Sequence, residues 1–395
     1  MIVAGTGKRS GHTFAGLEVI LSVSNDLTDS TVADPTIEIA LIKGDGIGVE
    51  VTDAALAIVD RVLEKTGNIR PGYREIQAGA GYYRETGRDI EPGGEAAAGR
   101  ADAIFLGAIG LPDVRYEDGT EISPHLRLRE RYQLYAGVRP VRAYPNAPRR
   151  LADPRASEID LVILRESTEG LFYSAAVHGR GEVIDNREAR DVLRITRVIT
   201  EKLHRFGFAL ARRRKGHGGK GMLTCVDKAN VFASMAFFRK IYDEIAPEFP
   251  DIRTDYNYVD AQALDLIRRP WDFDVLVTEN MFGDILSDLA GGLVGGMGMA
   301  ACAEIGDATG LFQPAHGSAP DIMGQDRANP LAAILSAALM LEYLAEKMGN
   351  PGLADAARLI DATVYRGFAE NRLQPVEFGG HMGTRALTRE LLQML

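Results

Sequence analysis

The chain has 395 residues, and a prior of about 150 residues per domain indicates two or three domains. Hydrophobic residues make up 46% and charged residues 25%, which excludes a mainly disordered chain, a collagen and a disulfide miniprotein. The formal net charge of −10 argues against nucleic-acid binding, so an anionic substrate would need a local cluster of arginines.

The first 36 residues do not match a secretory signal. Glu18 interrupts the apolar block that follows Lys8 and Arg9, whereas a signal requires an unbroken apolar core. We therefore expect residues 1–36 to be a mobile tail or the result of an early start codon.

No membrane span is expected elsewhere in the chain. The main uncharged apolar stretches, residues 289–303 and 330–341, are shorter than the ~20 residues that a span needs. Two cysteines, Cys225 and Cys302, are too few for a disulfide framework and favour a reducing, cytoplasmic location.

Short apolar segments alternate with helical patterns from residue 36 onward. Strands are predicted at residues 36–42, 103–106, 161–164, 222–226 and 275–278. Helices are predicted at residues 49–65, 229–246, 261–268, 283–293 and 330–348. This alternation indicates an α/β fold with a largely parallel sheet covered on both faces. Proline- and glycine-rich segments at 140–154 and 291–298 are candidate crossovers between domains.

Asp284 and Asp288 are four residues apart in a predicted helix and therefore share one face. Their charges repel unless a cation lies between them, and oxygen ligands favour Mg²⁺ or Mn²⁺. Neighbouring apolar residues, including Ile285, predict that this face lies near the core. Asp260 is a candidate third ligand at a strand end. The alternative is a solvated acidic helix end.

A candidate anion pocket is indicated by arginines. Arg165 ends an apolar strand, and the run before Tyr132 contains alternate arginines, including Arg129, of which one or two can point inward. Guanidinium groups suit bidentate carboxylate binding. The alternative is internal ion pairs with Glu130 or Glu166.

Lys228 lies at a predicted strand-to-helix transition. Beside a metal and arginines, a lysine can act as a general base. The alternative is an exposed lysine in the first helical turn, with Asp227 as the cap.

Two glycine-containing segments are candidates for nucleotide binding. Gly44-Asp-Gly-Ile-Gly48 lacks the spacing of a Rossmann turn. Residues 315–329 form a longer polar loop before an apolar helix, and a plain surface loop is the alternative for it.

Six motifs in this order resemble the β-decarboxylating dehydrogenases, the isocitrate and 3-isopropylmalate dehydrogenase family, from about Ile37 to the C-terminus. They are Gly44-Asp-Gly-Ile-Gly, Tyr135-Ala-Gly-Val-Arg-Pro, Arg165-Glu-Ser-Thr-Glu-Gly, Val226-Asp-Lys-Ala-Asn, Thr278-Glu-Asn-Met-Phe-Gly-Asp-Ile-Leu-Ser-Asp and His316-Gly-Ser-Ala-Pro-Asp-Ile.

The resemblance implies an open-sheet α/β fold of two domains without the Rossmann nucleotide mode. Residues 37–134 and 295–395 would form the nucleotide-side domain. Residues 135–294 would form a central domain with the dimer contacts and an arm at about 173–187. The active sites would be shared within a homodimer.

The resemblance also implies roles for individual residues. Arg129, Arg139 and Arg165 would hold the substrate carboxylates, with Ser123 in the loop that faces the C3 substituent. Asp284 and Asp288 would bind Mg²⁺ or Mn²⁺ together with Asp260 of the partner, which would also contribute Lys228. The implied cofactor contacts are His316, Gly317, Ser318, Ala319, Asp321, Ile322 and Asn329.

The implied reaction is the oxidative decarboxylation of a 3-substituted (2R)-malate, with 3-isopropylmalate, isocitrate, tartrate and D-malate all open as substrates. Lys228, acting through Asp260 or a water, would take the hydroxyl proton. Relatives place a tyrosine proton donor where this chain has Phe172, so the donor is the adjacent Tyr173 or water. Asp321 favours NAD over NADP because it would repel a 2′-phosphate.

Two other functions remain as alternatives. One is a non-catalytic regulatory subunit of an isocitrate dehydrogenase, although such paralogues tend to lose the metal acids or the lysine that this chain keeps. The other is a metal-dependent hydrolase, which would leave residues 316–329 unexplained.

Overall fold

The computed structural model describes residues 37–67, 69–176 and 181–395, with no side-chain description for Ala175 and Ala176. The expected N-terminal tail and residues 177–180 of the expected arm lie outside the described residues.

Twelve strands are described. They are β1 Glu38–Gly44, β2 Gly72–Glu75, β3 Ala103–Ala108, β4 Ala136–Arg142, β5 Asp160–Glu166, β6 Glu182–Ile184, β7 Glu188–Arg190, β8 Met222–Asp227, β9 Arg253–Tyr258, β10 Val275–Thr278, β11 Ala301–Ile305 and β12 Gly310–Pro314. All five predicted strands are confirmed.

Twelve α-helices are described. They are α1 Gly48–Gly67, α2 Ala80–Thr86, α3 Gly94–Arg100, α4 Pro124–Arg131, α5 Phe172–Ala176, α6 Arg197–Gly216, α7 Ala233–Ile245, α8 Val259–Arg268, α9 Asn280–Leu293, α10 Leu331–Met348, α11 Pro351–Ala369 and α12 Thr384–Met394. The five predicted helices are present, but α7 begins four residues later than predicted. There the Lys228 carbonyl accepts the N–H groups of Val231 and Phe232 in a turn.

Ten strands form one sheet in the order β2-β1-β3-β12-β11-β4-β5-β10-β8-β9. Strands β2, β1, β3 and β12 are mutually parallel, and so are β5, β10, β8 and β9. Between these sets, β11 and β4 pair antiparallel with their neighbours. The predicted α/β fold with a largely parallel sheet is therefore confirmed.

The core lies between the sheet and its helices. Helix α10 packs against α1, α11 and the strands β11 and β12, and nearly every residue of α10 is buried. That explains why its sequence is apolar around most of its circumference rather than along one stripe. Strands β6 and β7 form a separate antiparallel hairpin in and beyond the region where the arm was expected. No helix in the described part of the chain is both long and apolar enough to span a membrane.

Candidate active site

A cleft of about 550 Å³ opens beside the middle of the large sheet. Its walls come from β3, β4, β5, α4, α9 and the loop after β12. The predicted site residues that line it are Ser123, Arg129, Arg139, Arg165, Asp284, Asp288, His316 and Gly317. The fold thus brings the predicted anion pocket, two predicted metal ligands and the start of the predicted nucleotide loop into one cavity.

All three predicted substrate arginines are buried in the wall of this cleft. The pKa of Arg165 falls to about 10 because of burial and the neighbouring charges of Arg139 and Arg129. The Nε groups of Arg129 and Arg139 are buried and have no hydrogen-bond partner among the described residues. Crowded guanidinium groups with unused donors are suited to binding an anion.

Two of these arginines form internal ion pairs, but with Glu304 rather than with Glu130 or Glu166, the two partners anticipated from the sequence. Arg129 and Arg139 both contact Glu304 Oε1, at 2.9 and 3.2 Å. Glu166 instead accepts hydrogen bonds from Thr168 and from the Glu169 N–H. Glu304 was not predicted, although a lone acid inside the apolar run of β11 was a usable signal.

Arg165 connects the arginines to the predicted metal ligands. Its guanidinium donates to Asn280 Oδ1 at 2.7 and 2.9 Å and forms an ion pair with Asp284. Gly283 allows this approach, because a Cβ there would lie 2.7 Å from the Arg165 Cβ. Phe172 places its ring 5.0 Å from the same guanidinium.

Asp284 and Asp288 share the cleft-facing side of α9, as predicted. Burial, and then the charge of Asp284, raises the pKa of Asp288. A cation between the two carboxylates would relieve that repulsion, so the donor chemistry fits Mg²⁺ or Mn²⁺. The expectation that the apolar neighbours of these aspartates are buried is confirmed for Leu286, which is 1% exposed, and Leu289 packs against the same core cluster. It is wrong for Ile285, which is 60% exposed.

Lys228 and Asp260 contact each other, but they do not line this cleft. The Lys228 Nζ lies 2.5 Å from Asp260 Oδ1, and Asp260 belongs to the first turn of α8 rather than to the strand end. Asp227 caps the turn through the Ala229 N–H, as the simpler alternative anticipated, but Lys228 itself is paired. Across the described residues, no three His, Cys, Asp or Glu side chains are grouped to hold a metal.

The proton donor anticipated at Tyr173 is not part of the cleft wall in this chain. Phe172 lines the cleft, whereas the Tyr173 ring packs against the Arg194 guanidinium, 3.8 Å from its centre. The role of Tyr173 as an acid therefore gains no support from the geometry.

The loop that leads into α4 forms the remaining wall. Ser123 is the residue before this helix, and its hydroxyl donates to the Glu121 carbonyl at 3.2 Å. His125 lines the cleft, and its buried Nδ1 has no partner among the described residues. Burial and the charge of Arg129 lower the pKa of His125 to about 3, so the imidazole is neutral.

The two glycine-containing segments contact each other. The Ser318 carbonyl accepts the Ile47 N–H at 2.8 Å, and a Cβ on Gly46 would lie 2.0 Å from that same oxygen. Asp45 accepts backbone N–H groups from Ala80, Gly81 and Gly110, which ties this turn to the start of α2 and to the loop after β3. The first segment therefore supports the second structurally.

The predicted nucleotide contacts extend away from the cleft along one loop. His316 has a buried Nε2 without a partner among the described residues, which leaves it available to a ligand. Ala319 has a positive φ of 36°, and Asp321 and Ile322 follow in a short 3₁₀ turn with Asp321 exposed. Asn329 is buried, and its side-chain amide donates to Glu377 Oε2 at 2.9 Å. This hydrogen bond holds the loop in place and engages a donor that was predicted to contact the cofactor.

Comparison with known proteins finds relatives over nearly the whole described chain. The model of the isocitrate/isopropylmalate dehydrogenase family matches residues 38–394. A 3-isopropylmalate dehydrogenase from Moorella thermoacetica is 39% identical over 345 residues, covering 86% of this chain and 92% of the relative. A 3-isopropylmalate/3-methylmalate dehydrogenase from Methanocaldococcus jannaschii is 39% identical over 359 residues, covering 90% and 97%.

A solved structure agrees as well. The crystal structure of isocitrate dehydrogenase from Methylococcus capsulatus matches with a TM-score of 0.79 and 32% identity, covering 91% of this chain and 99% of that one. Together with the family match over residues 38–394, this shows that the chain belongs to the isocitrate/isopropylmalate dehydrogenase family.

Proposed function

We propose that the protein is a metal- and NAD-dependent dehydrogenase that oxidatively decarboxylates a 3-substituted (2R)-malate. The observation that carries the proposal is the meeting of three buried arginines with Asp284 and Asp288 in one cleft. An arginine cluster binds carboxylates, and a carboxylate pair binds a hard cation, so this cleft suits a chelating hydroxy acid.

The residues of this chain would hold the substrate and move its proton. Arg129, Arg139 and Arg165 would fix its carboxylates and orient C2 toward the nucleotide loop. When bound, the cation would supply positive charge beside the C2 oxygen, and NAD would supply the hydride acceptor. The partner's Lys228 would accept the hydroxyl proton. Since Tyr173 lies off the cleft, water is the proton source that we favour for the carbon left after CO₂ departs.

The active site would be completed by a second copy of the chain. Asp260, Leu264 and Ile267 lie on one face of α8, where Leu264 is 54% and Ile267 44% exposed. On α9, Ile285 is exposed next to the metal-binding face. Exposed apolar residues beside Asp260 and beside Asp284 are suited to a homodimer contact that brings the partner's Asp260 to this cleft.

The two parallel halves of the sheet would act as two domains. The nucleotide-side domain would comprise residues 37–134 and 295–395, and the central domain residues 135–294, with β4 and β11 pairing across the junction. The hairpin β6–β7 would belong to the dimer arm. The cleft lies beside the junction, where domain closure could exclude water from the substrate.

The substrate is to be identified among 3-substituted malates. The relatives are named for 3-isopropylmalate and 3-methylmalate, and the solved structure for isocitrate. We propose testing 3-isopropylmalate, isocitrate, tartrate and D-malate for NADH formation, with and without Mn²⁺. Mn²⁺-dependent NADH formation from at least one of them is expected. No NADH from any of them would count against the proposal and favour a regulatory subunit.

A further inference from the structure

Glu304 is a carboxylate buried in the middle of the arginine cluster. Its side chain has no exposed surface, and its Oε1 contacts both Arg129 and Arg139. Burial alone would raise the pKa of Glu304, but the charges of Arg129, Arg139 and Arg165 outweigh it and lower the pKa to about 2. Glu304 is therefore ionised throughout the neutral range.

The sheet is arranged to hold this carboxylate beside the arginines. Glu304 pairs with Gly137, and Gly137 pairs with Arg165, so the three stand in one row across β11, β4 and β5. Directly opposite residues of antiparallel strands project on the same face. A Cβ at Gly137 would lie 2.9 Å from Glu304 Oε2, so the glycine leaves the room that the carboxylate occupies.

The charge of Glu304 changes what the arginines can bind. Three guanidinium groups offer three positive charges to a substrate, and the carboxylate of Glu304 reduces the net charge to two. Asp284, which pairs with Arg165, would be neutralised by the cation that it is proposed to bind. Glu304 also occupies donors of two of the arginines, although their Nε groups stay without a partner among the described residues. The cluster is therefore suited to two substrate carboxylates rather than three.

Among the described residues that line the cleft, no other side chain of this chain replaces the positive charge that Glu304 neutralises. His125, which lines the same cleft, is neutral because burial and Arg129 lower its pKa to about 3. Arg127 also lines the cleft, but its guanidinium pairs with Asp89 and Glu95. A third substrate carboxylate in this pocket would therefore lie in the negative field of Glu304, with no further unpaired cationic side chain from the described cleft residues of this chain to balance it.

We propose that Glu304 is a specificity-determining residue, which matches the cleft to hydroxy acids with two carboxylates and an uncharged C3 substituent and disfavours tricarboxylates. The inference rests on the proposed function, because it assumes that the arginine cluster binds the substrate. Glu304 acts through Arg129 and Arg139, so it is a positioning and charge-balancing residue rather than a catalytic one.

The test uses two unreactive probes, methylsuccinate with two carboxylates and tricarballylate with three. Their affinities for the full-length protein with Mn²⁺ are measured by calorimetry. The wild-type protein is expected to bind methylsuccinate at least about tenfold more tightly, since one unscreened like charge nearby is worth that much or more. Equal or tighter binding of tricarballylate to the wild type would overturn the inference without any variant.

Variants separate the charge of Glu304 from its role in holding the arginines. Glu304→Gln keeps the shape but not the charge, and it is expected to shift the affinity ratio toward tricarballylate by about tenfold. Glu304→Asp keeps the charge and is expected to retain the preference for two carboxylates. If the role of Glu304 were purely structural, Glu304→Gln would weaken the binding of methylsuccinate and tricarballylate equally, and that result would refute the inference.

The matched control is Asp361→Asn. Asp361 is also buried and pairs with an arginine, Arg142, but it does not line the cleft. Its substitution is expected to leave the ratio of the two probe affinities unchanged.

The substrate assay distinguishes a failure of this inference from a failure of the proposed function. Efficient NADH formation from isocitrate by the wild type would support the dehydrogenase and overturn the role of Glu304. A failure of all substrates would overturn the dehydrogenase while the probe affinities still report on Glu304.

Discussion

Mixed dimers of two inactive variants are expected to recover activity, because the proposed active site takes Asp284 from one chain and Lys228 from the other. Lys228 and Asp260 pair with each other but do not line the cleft that contains Asp284. Lys228→Ala and Asp284→Asn should each inactivate both sites of a homodimer. A mixed dimer has one site that lacks both residues and one that retains both.

The expected recovery follows from this geometry. At equal amounts, about half of the dimers are mixed and half of their sites are intact, so about a quarter of wild-type activity should return. The two variants are co-expressed with different tags and assayed for NADH formation. The unseparated mixture should give that quarter, whereas mixed dimers purified by both tags should give about half of wild-type activity, because every one of them has one intact site. Asp284→Asn with Asp288→Asn is the matched control, since both residues belong to the same half-site and no recovery is expected.

Two results would refute the reasoning. Full activity of the Lys228→Ala homodimer would remove Lys228 from the mechanism. No recovery in purified mixed dimers of Lys228→Ala and Asp284→Asn would mean that the two residues act within one chain. That arrangement would require Lys228 to move to the cleft of its own chain, which it does not line here.

Three further outcomes are expected. Burial and the Asp284 charge raise the pKa of Asp288, so protons compete with Mn²⁺ for this carboxylate. The increase in Tm that Mn²⁺ causes should therefore be smaller near about pH 5 than near about pH 7.5, and an equal increase at both pH values would contradict Asp288 as a ligand. Because the Tyr173 ring lies against Arg194, Tyr173→Phe should lower kcat by less than about tenfold, whereas a loss of ~10²–10⁴ would identify Tyr173 as the acid. The wild type should have a kcat/KM for NAD at least about tenfold above that for NADP, and Asp321→Asn should narrow the difference; comparable values in the wild type would contradict the role of Asp321.

The fold was largely predictable because its strands are locally marked. Apolar runs such as those of β3 and β5 are buried on both faces and can be recognised from a few residues. The strands β4 and β11 were missed, and they join the two halves of the sheet. Their sequences carry charged residues, Arg139 and Glu304, whose burial depends on partners far away in the chain.

The site was predictable by residue type but not by arrangement. Helical spacing placed Asp284 and Asp288 on one face, and that face does line the cleft. Spacing could not show that Phe172 rather than Tyr173 faces the cleft, because this depends on how the short helix α5 is turned. Nor could it show Glu304 among the arginines, since the row of β11, β4 and β5 is set by long-range strand pairing.

A crystal structure of the protein with Mn²⁺ and a substrate analogue tests the central claim most directly. We expect an anomalous scattering peak about 2 Å from carboxylate oxygens of Asp284, Asp288 and the partner subunit's Asp260. The analogue should contact Arg129, Arg139 and Arg165 on one side and the ion on the other. A dimer in which the partner's Asp260 is remote from this cleft, or a Mn²⁺ ion bound elsewhere, would contradict the account.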